Sequence, residues 1–384
     1  MAGNPECRRK EPGVVPGAAP LPEPETIDVE GIFHEYVSGT VDLVVVLGPT
    51  ASGKTRYAVS LARKFNALFE QLGSPGGRSH SGSRTAGEQK NAAAASSCPA
   101  AGREAGPVEI LSADSRQVYR GMDIGTGKDL DEYGEIPYRL IDIVPAGTRF
   151  DLHQWQQAFE TAYKEIQSRG GLPILCGGTG LYIQAAICGY ALPQAPPDPE
   201  LRARLEQEDI EELREKLAEL RPLGQPGGKP DDPRTVPCSD LQNKRRLIRA
   251  LEVAFYENEH PAGQTAFLPK NPCCIGTLVS REDRIARIDK RLEERLTGVS
   301  GTGEKTGRTL IDEVRELLDS GIPYEDLMYY GLEYKFVTQY VLGILSYEEM
   351  KKLLSNAIHQ FAKRQMTWFR GMERDGVRIR WTRP

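Results

Sequence analysis

The residues Gly48-Pro49-Thr50-Ala51-Ser52-Gly53-Lys54-Thr55 carry the sharpest chemical signal in the chain. They fit G-x-x-x-x-G-K-[ST], in which glycines let the backbone wrap a phosphate and inward N–H groups bind it at a helix N-terminus. Lys54 would set a point charge on the phosphates, and Thr55 would offer a hydroxyl to Mg²⁺. The plain alternative is a Gly-rich turn that only joins strand to helix. An apolar run at 41–47 before the loop and a helix-like stretch at 57–69 after it favour the phosphate site. The loop does not say which phosphate compound it holds.

A second group, Ser112-Ala113-Asp114-Ser115-Arg116-Gln117, follows a short apolar run at 108–112. Ligands of parallel sheets sit beyond the carboxyl ends of the strands, so Asp114 is expected near the phosphate loop. Asp114 is open to three roles: a helix N-cap, a metal-linked carboxylate or a general base. Farther on, the strand-like 172–176 runs into Gly177-Gly178-Thr179, where many nucleotide hydrolases place an acidic residue for Mg²⁺ and water. Its absence speaks against a motor or switch, and Thr179 reads as a hydrogen-bonding partner for substrate. Residues 121–128 end in Gly-Lys but lack the four-residue gap of a phosphate loop, so they read as a substrate-proximal loop.

The elements that must position these groups alternate. Strands at 41–47, 108–112, 138–144 and 172–176 and helices at 57–69 and 152–168 predict an α/β fold, a parallel sheet covered on both faces. After the Pro-rich stretch at 192–199 the pattern becomes helical, with a leucine stripe at Leu201, Leu205, Leu213, Leu217 and Leu220 and a second helix at 241–256. A further core strand is expected at 273–279, then helices at 285–296, 310–318 and 347–369. The expected domains are a disordered segment at 1–38, a P-loop core at 39–192 with a disordered insert at 73–107, a mostly helical insertion at 193–272, and at 273–384 a return to the core with basic C-terminal helices.

Composition narrows the class. With 384 residues and 39% hydrophobic, the chain can bury one large core or two modest ones. A net charge of -5 argues against wholesale coating of nucleic acid, without excluding a local basic face. No run reaches the length of a membrane span and no secretory signal is read, so a cytoplasmic protein is expected. The seven cysteines form no C-x-x-C pair, which suits a reducing compartment better than disulfides or zinc. Basic residues cluster at Lys244-Arg245-Arg246 with Arg249, along Arg284, Arg287, Arg291 and Arg295, and from 331 to 384, where ten Lys/Arg oppose five Asp/Glu. Lys363, Arg364, Trp368, Phe369 and Arg370 mix charge and aromatics as RNA-contacting surfaces do, although Trp and Phe at such positions are more often core.

Together these segments resemble the tRNA dimethylallyltransferase (isopentenyl-tRNA transferase) family, bacterial type. The matching pieces are GPTASGKT (48–55), SADSRQVYRGMDIGTGK (112–128), YRLIDI (138–143), LPILCGGTGLYI (172–183), DPELRARL (198–205), RRLIRALEV (245–253), SREDRIARIDKRL (280–292) and FAKRQMTWFR (361–370). The resemblance implies a P-loop NTPase-like core with a helical insertion, and transfer of a dimethylallyl group from dimethylallyl diphosphate to N6 of the adenosine 3′ to the tRNA anticodon, position 37. It makes Asp114 the base, and Lys54, the loop 48–55 and Arg291 the grip on the diphosphate, with Mg²⁺ on Thr55. Thr179, Asp114, Ser115, Arg116 and Gln117 would meet the target nucleotide and its neighbours. Arg202, Arg245, Arg246, Leu247, Ile248 and Arg249 would hold the anticodon stem-loop. A monomer free of the membrane is expected.

Three features depart from the family pattern. The insert at 73–107 is extra, Gly331-Leu332-Glu333-Tyr334-Lys335 varies on the usual sequence, and the zinc finger of many eukaryotic members is missing. The rivals are a free-nucleotide isopentenyltransferase, which has no need of so large a basic surface, a P-loop small-molecule kinase, and a non-enzymatic RNA-binding switch.

Overall fold

The computed structural model describes residues 21–73, 108–188, 195–223, 236, 240–260, 267–299 and 307–384. In chain order the elements are α1 (Val29–Val37), β1 (Leu43–Leu47), α2 (Lys54–Gly73), β2 (Glu109–Ser112), β3 (Tyr119–Arg120), β4 (Tyr138–Arg139), β5 (Val144–Pro145), α3 (Leu152–Ser168), β6 (Pro173–Gly177) and α4 (Gly180–Cys188). There follow α5 (Pro199–Leu205), α6 (Ile210–Leu220), α7 (Lys244–Glu259), β7 (Pro272–Thr277), α8 (Arg281–Thr297), α9 (Leu310–Asp319), α10 (Tyr324–Tyr329), α11 (Leu332–Val341), α12 (Tyr347–Arg374) and β8 (Ile379–Thr382). They fall into two compact units, one of residues 1–149, 162–183 and 270–384, the other of 150–161 and 184–269.

The first unit is built on a six-stranded sheet in the order β4-β2-β6-β1-β7-β8, with every pair parallel. The five residues of β1, Leu-Val-Val-Val-Leu, are all buried, as an interior parallel strand covered on both faces requires. Register sets Val44 beside Ile174 on one side and Cys273 on the other. Because β2, β6 and β1 are adjacent, the loops at their carboxyl ends lie side by side, and these are the three segments that carry Asp114, Thr179 and the phosphate loop. At the far edge β8 pairs with β7, and Pro384 beyond it comes to rest against the phosphate loop, 3.6 Å from where a Cβ on Gly53 would stand.

The second unit has its own apolar core. Leu205 of α5, Leu213 and Leu217 of α6, and Leu247, Ile248, Leu251 and Ala254 of α7 are buried together. Asp209 and Glu212 close a capping box that starts α6. The unit takes in 150–161 and 184–192 and stops at 269, limits that differ from the expected insertion at 193–272.

Four expectations need correction. Part of the segment read as disordered at 1–38 is helix α1: Asp28 caps it through Gly31 N (2.9 Å), and Ile32 and Phe33 are buried, Phe33 edge-on to Phe69. Residues 1–20 and 74–107 lie outside the described residues, so the rest of that segment and the insert are not addressed. The strand expected at 138–144 is broken. Leu140 and Asp142 take positive φ (65° and 56°), so Tyr138–Arg139 joins the main sheet while Val144–Pro145 pairs with β3 in a small second sheet. Residues 324–341, for which no element was expected, hold α10 and α11, and the chain closes on a strand, β8, after its last helix.

Candidate active site

The phosphate loop is fastened from behind. Ser52 Oγ and Thr277 Oγ1 are 2.7 Å apart in the core, and the Thr277 hydroxyl reaches Leu47 O at 3.3 Å. Ala51 takes φ 61°, uncommon for a residue with a Cβ and a mark of a loop whose shape is held by its surroundings. Thr50 N–H donates to Gln365 Oε1 (2.8 Å). Of the eight loop residues expected to hold diphosphate, Ser52 therefore turns its hydroxyl inward and Thr50 commits its amide to α12. Ser52 N–H also turns back to Pro49 O (3.3 Å), and Pro49 has no N–H to offer.

Gln365 was not singled out from the sequence. Its amide accepts from Thr50 and donates through Nε2 to Gly178 O (2.8 Å), so one side chain ties the phosphate loop to the turn after β6. The only available signal was its position: a polar residue on the face shared by Ile358, Ala362, Met366 and Phe369, all buried. Gly178 has to be glycine there, since a Cβ would stand 2.6 Å from Gln365 Nε2 and 3.4 Å from Lys54 Nζ.

No helix follows Asp114, so the cap role is not used. Its Oδ1 accepts from Arg116 N (2.9 Å) in an Asx turn, and its other oxygen has no hydrogen bond among the described residues. Thr179 donates its N–H to Ala113 O and accepts from Ser115 N on Oγ1, both at 3.2 Å, which holds the Asp114 loop against the β6 turn. Its hydroxyl proton stays available. Gln117 is engaged at both ends, accepting from Ser112 Oγ (2.9 Å) and donating to Gly127 O (3.2 Å), so it braces the site and offers little to a nucleotide.

Burial lowers the pKa of Lys54; Asp114 and Asp129 act against that, and Arg291 acts with it. These partners put the lysine within electrostatic reach of the carboxylate and of the arginine. Arg291 itself is ion-paired with Asp129. Cys176, at the end of β6, is pushed up to about 12 by burial and stays a thiol.

The loop at 121–128 is a scaffold. Lys128 is buried and spends its three donors on Tyr119 O (2.8 Å), Asp123 Oδ1 (2.6 Å) and Asp142 Oδ1. Glu313, fully buried on α9, accepts from the N–H groups of Asp123, Ile124 and Gly125 at 2.8–3.0 Å and from Tyr334 Oη at 2.6 Å. Sequence reasoning missed Glu313, because an acid inside an amphipathic helix looks like any solvated one.

In the second unit the expected RNA contacts divide. Leu247 and Ile248 are core residues, a correction that follows from their burial. Arg202 grips Glu252 through Nε (2.7 Å) and Nη2 (2.8 Å), while Arg249 adds a 3.3 Å bond to Glu252 and donates to Ala195 O. Burial alone would raise the Glu252 pKa, but the hydrogen bonds from Arg202, Asp198 N and Arg249 hold it below the ordinary value. Arg246 pairs with Asp240 (2.6 Å). Arg245 is exposed, with no ion pair among the described residues.

The trio of adjacent strand ends, with a phosphate loop, a half-free carboxylate and no acid after β6, defines a P-loop enzyme of group transfer to a nucleophile. A family model for IPP transferase matches residues 117–372, more than half of the chain. tRNA dimethylallyltransferase 1 of Porphyromonas gingivalis is 45% identical over 343 residues, spanning 88% of this chain and 93% of the relative. tRNA dimethylallyltransferase 2 of Bacteroides fragilis is 40% identical over 344 residues, 88% of this chain and 92% of the relative. The crystal structure of the full-length tRNA isopentenylpyrophosphate transferase of Bacillus halodurans superposes with a TM-score of 0.53 at 29% identity, covering 89% of each chain. A eukaryotic dimethylallyltransferase acting on tRNA shares the fold at a TM-score of 0.59 and 18% identity, over 88% of this chain and 73% of that one. The chain belongs to the IPP transferase family.

Proposed function

We propose that this protein transfers the dimethylallyl group of dimethylallyl diphosphate to N6 of the adenosine 3′ to the anticodon, position 37, of tRNA in the cytoplasm. The observation that carries the reading is that Asp114 and the Lys54 loop follow β2 and β1, the two strands that flank β6, with Lys54 in the field of Asp114 and Arg291. A C–N bond forms between N6 and the allylic carbon as the C–O bond breaks. The electron pair of that bond leaves with the diphosphate, and the N6 proton passes to Asp114. An exocyclic adenine amine is a poor nucleophile because its lone pair is delocalised, which is why the base is needed. Lys54, the free loop amides and Arg291 would stabilise the leaving diphosphate, each such donor contributing about 3 kcal/mol.

A magnesium ion fits this donor set. The described residues hold no cluster of three His, Cys, Asp or Glu, and Thr55, partly buried at the start of α2, offers the hydroxyl of a phosphate-loop site. Mg²⁺ keeps several waters and substrate oxygens, so Thr55 and the diphosphate suffice to hold it. It would supply charge to neutralise the diphosphate. Thr179 and Arg116 would meet the target nucleotide, which must leave the loop stack to reach Asp114. Arg245 would grip the stem-loop backbone.

One experiment decides between the transferase and its rivals. Labelled dimethylallyl diphosphate is offered with unmodified tRNA, AMP or ATP, and adenine N6 is examined for label. Label on tRNA is expected. Label on AMP alone overturns the tRNA reading in favour of the free-nucleotide enzyme, and no label on any acceptor returns the kinase.

A further inference from the structure

Arg295 is a cation that the reading above leaves unused. It lies one turn beyond Arg291 on α8, and its guanidinium comes to the same place, the backbone of Gly127. A Cβ on Gly127, whose φ is 62°, would stand 3.3 Å from Arg291 Nη2 and would overlap Arg295 Nη2. Two guanidinium groups thus converge on one glycine. One bonded carboxylate, Asp129, serves the pair, and it is bonded to Arg291. Arg295 makes no ion pair or hydrogen bond of its own among the described residues; Asp129 and Glu333 act on it only through space. Burial and the repulsion of Arg291 lower its pKa, as expected of a cation lacking its counter-charge. Holding two like charges this close together is costly unless an anion completes the set. The anion that the proposed reaction supplies to Lys54 and Arg291 is a diphosphate.

We propose that Arg295 is a second guanidinium of the donor site and binds the diphosphate of the prenyl donor beside Arg291. The inference rests on the dimethylallyl-transfer reading. A planar fork of donors suits two adjacent phosphate oxygens, and it gains strength as the C–O bond breaks and charge collects on the leaving group. Glu333 offers the competing account, in which Arg295 exists to balance that carboxyl.

The test uses the full chain with Mg²⁺, inorganic diphosphate as the binding probe, and steady-state transfer. Arg295→Gln is expected to weaken inorganic diphosphate about tenfold or more and to raise the KM for dimethylallyl diphosphate, with the melting temperature within a few degrees of wild type. Gly127→Ala, whose methyl displaces the same guanidinium, is expected to weaken diphosphate as well. Wild-type diphosphate affinity in both variants overturns the proposal, as does a loss that Glu333→Gln reproduces in full. The two readings fail separately. If diphosphate binding depends on Arg295 but wild type labels no tRNA, the transfer reading falls and the anion site stands. If Arg295→Gln labels tRNA with wild-type constants, the anion site falls and the transfer reading stands.

Discussion

Asp114 accepts the N–H of Arg116 on one carboxylate oxygen, and its other oxygen, the proposed proton acceptor, has no hydrogen bond among the described residues. Asn at this position preserves the turn and removes the base, so Asp114→Asn should lower turnover by about 10²- to 10⁴-fold while the KM for the donor changes little. Steady-state transfer of label to tRNA measures both. Lys54 carries a pH dependence whose sign follows from its burial. Its pKa is lowered, so the free enzyme loses the ammonium at a pH below that of an ordinary lysine. The ratio kcat/KM for the donor should therefore fall as pH rises through that lowered value, and Lys54→Arg should carry the alkaline limb to higher pH. At this scale the candidate residues were legible, because phosphate loops and strand-end acids announce themselves by type and spacing. The residues that orient them were not. Gln365 and Glu313 act by where their side chains end up in three dimensions, and one glutamine or glutamate in a helix has no local mark of that.

α12 spans 28 residues, opens with a capping box of Ser346 and Glu349, and places Gln365 between two loops of the sheet. Replacing that amide by an apolar side chain of similar shape keeps the helix packed and frees both loops. Gln365→Met should lower turnover about tenfold or more, with thermal unfolding shifted by only a few degrees, since each hydrogen bond nets about 1 kcal/mol. An equal loss of stability and turnover would mark a packing role alone. Element boundaries were legible where periodicity was long: the helix expected at 152–168 is α3, residue for residue. They were obscure where the chain turns without glycine. Leu140 and Asp142 adopt the left-handed region, which Asp tolerates but Leu does not advertise, and so one expected strand became two. Helix α1 was hidden by the Pro-rich run before it, although its Asp cap and its Ile32-Phe33 pair are ordinary helix signals.

Across the molecule, net charge and local charge point in opposite directions: -5 for the chain, and basic clusters such as Lys244-Arg245-Arg246 within it. The second unit shows how such surfaces are assembled, with Arg202 and Arg249 spent on Glu252 and Arg245 left outward. Arg245→Ala should weaken tRNA binding and reduce the salt slope of affinity by about one, in a filter-binding series over ionic strength. Glu252→Gln should act on stability instead. The Glu252 carboxyl is held below its ordinary value, so its stabilisation is present above the unfolded pKa of about 4.3 and is lost as pH falls through the folded value. The variant should melt earlier than wild type at pH 7, and the gap should close in acid. The parallel sheet was legible from alternation alone, but the division into units was not. Where one compact unit ends depends on contacts between distant segments such as 150–161 and 184–269, and no composition change marks the first of these.

Pro384 rests beside Gly53 at the end of the edge strand β8. Anything fused directly after that proline begins at the mouth of the phosphate loop. An affinity tag there would crowd the phosphate loop and any ligand that enters it. A kinetic defect in such a preparation would belong to the fusion, and a preparation tagged at the other end would be its control.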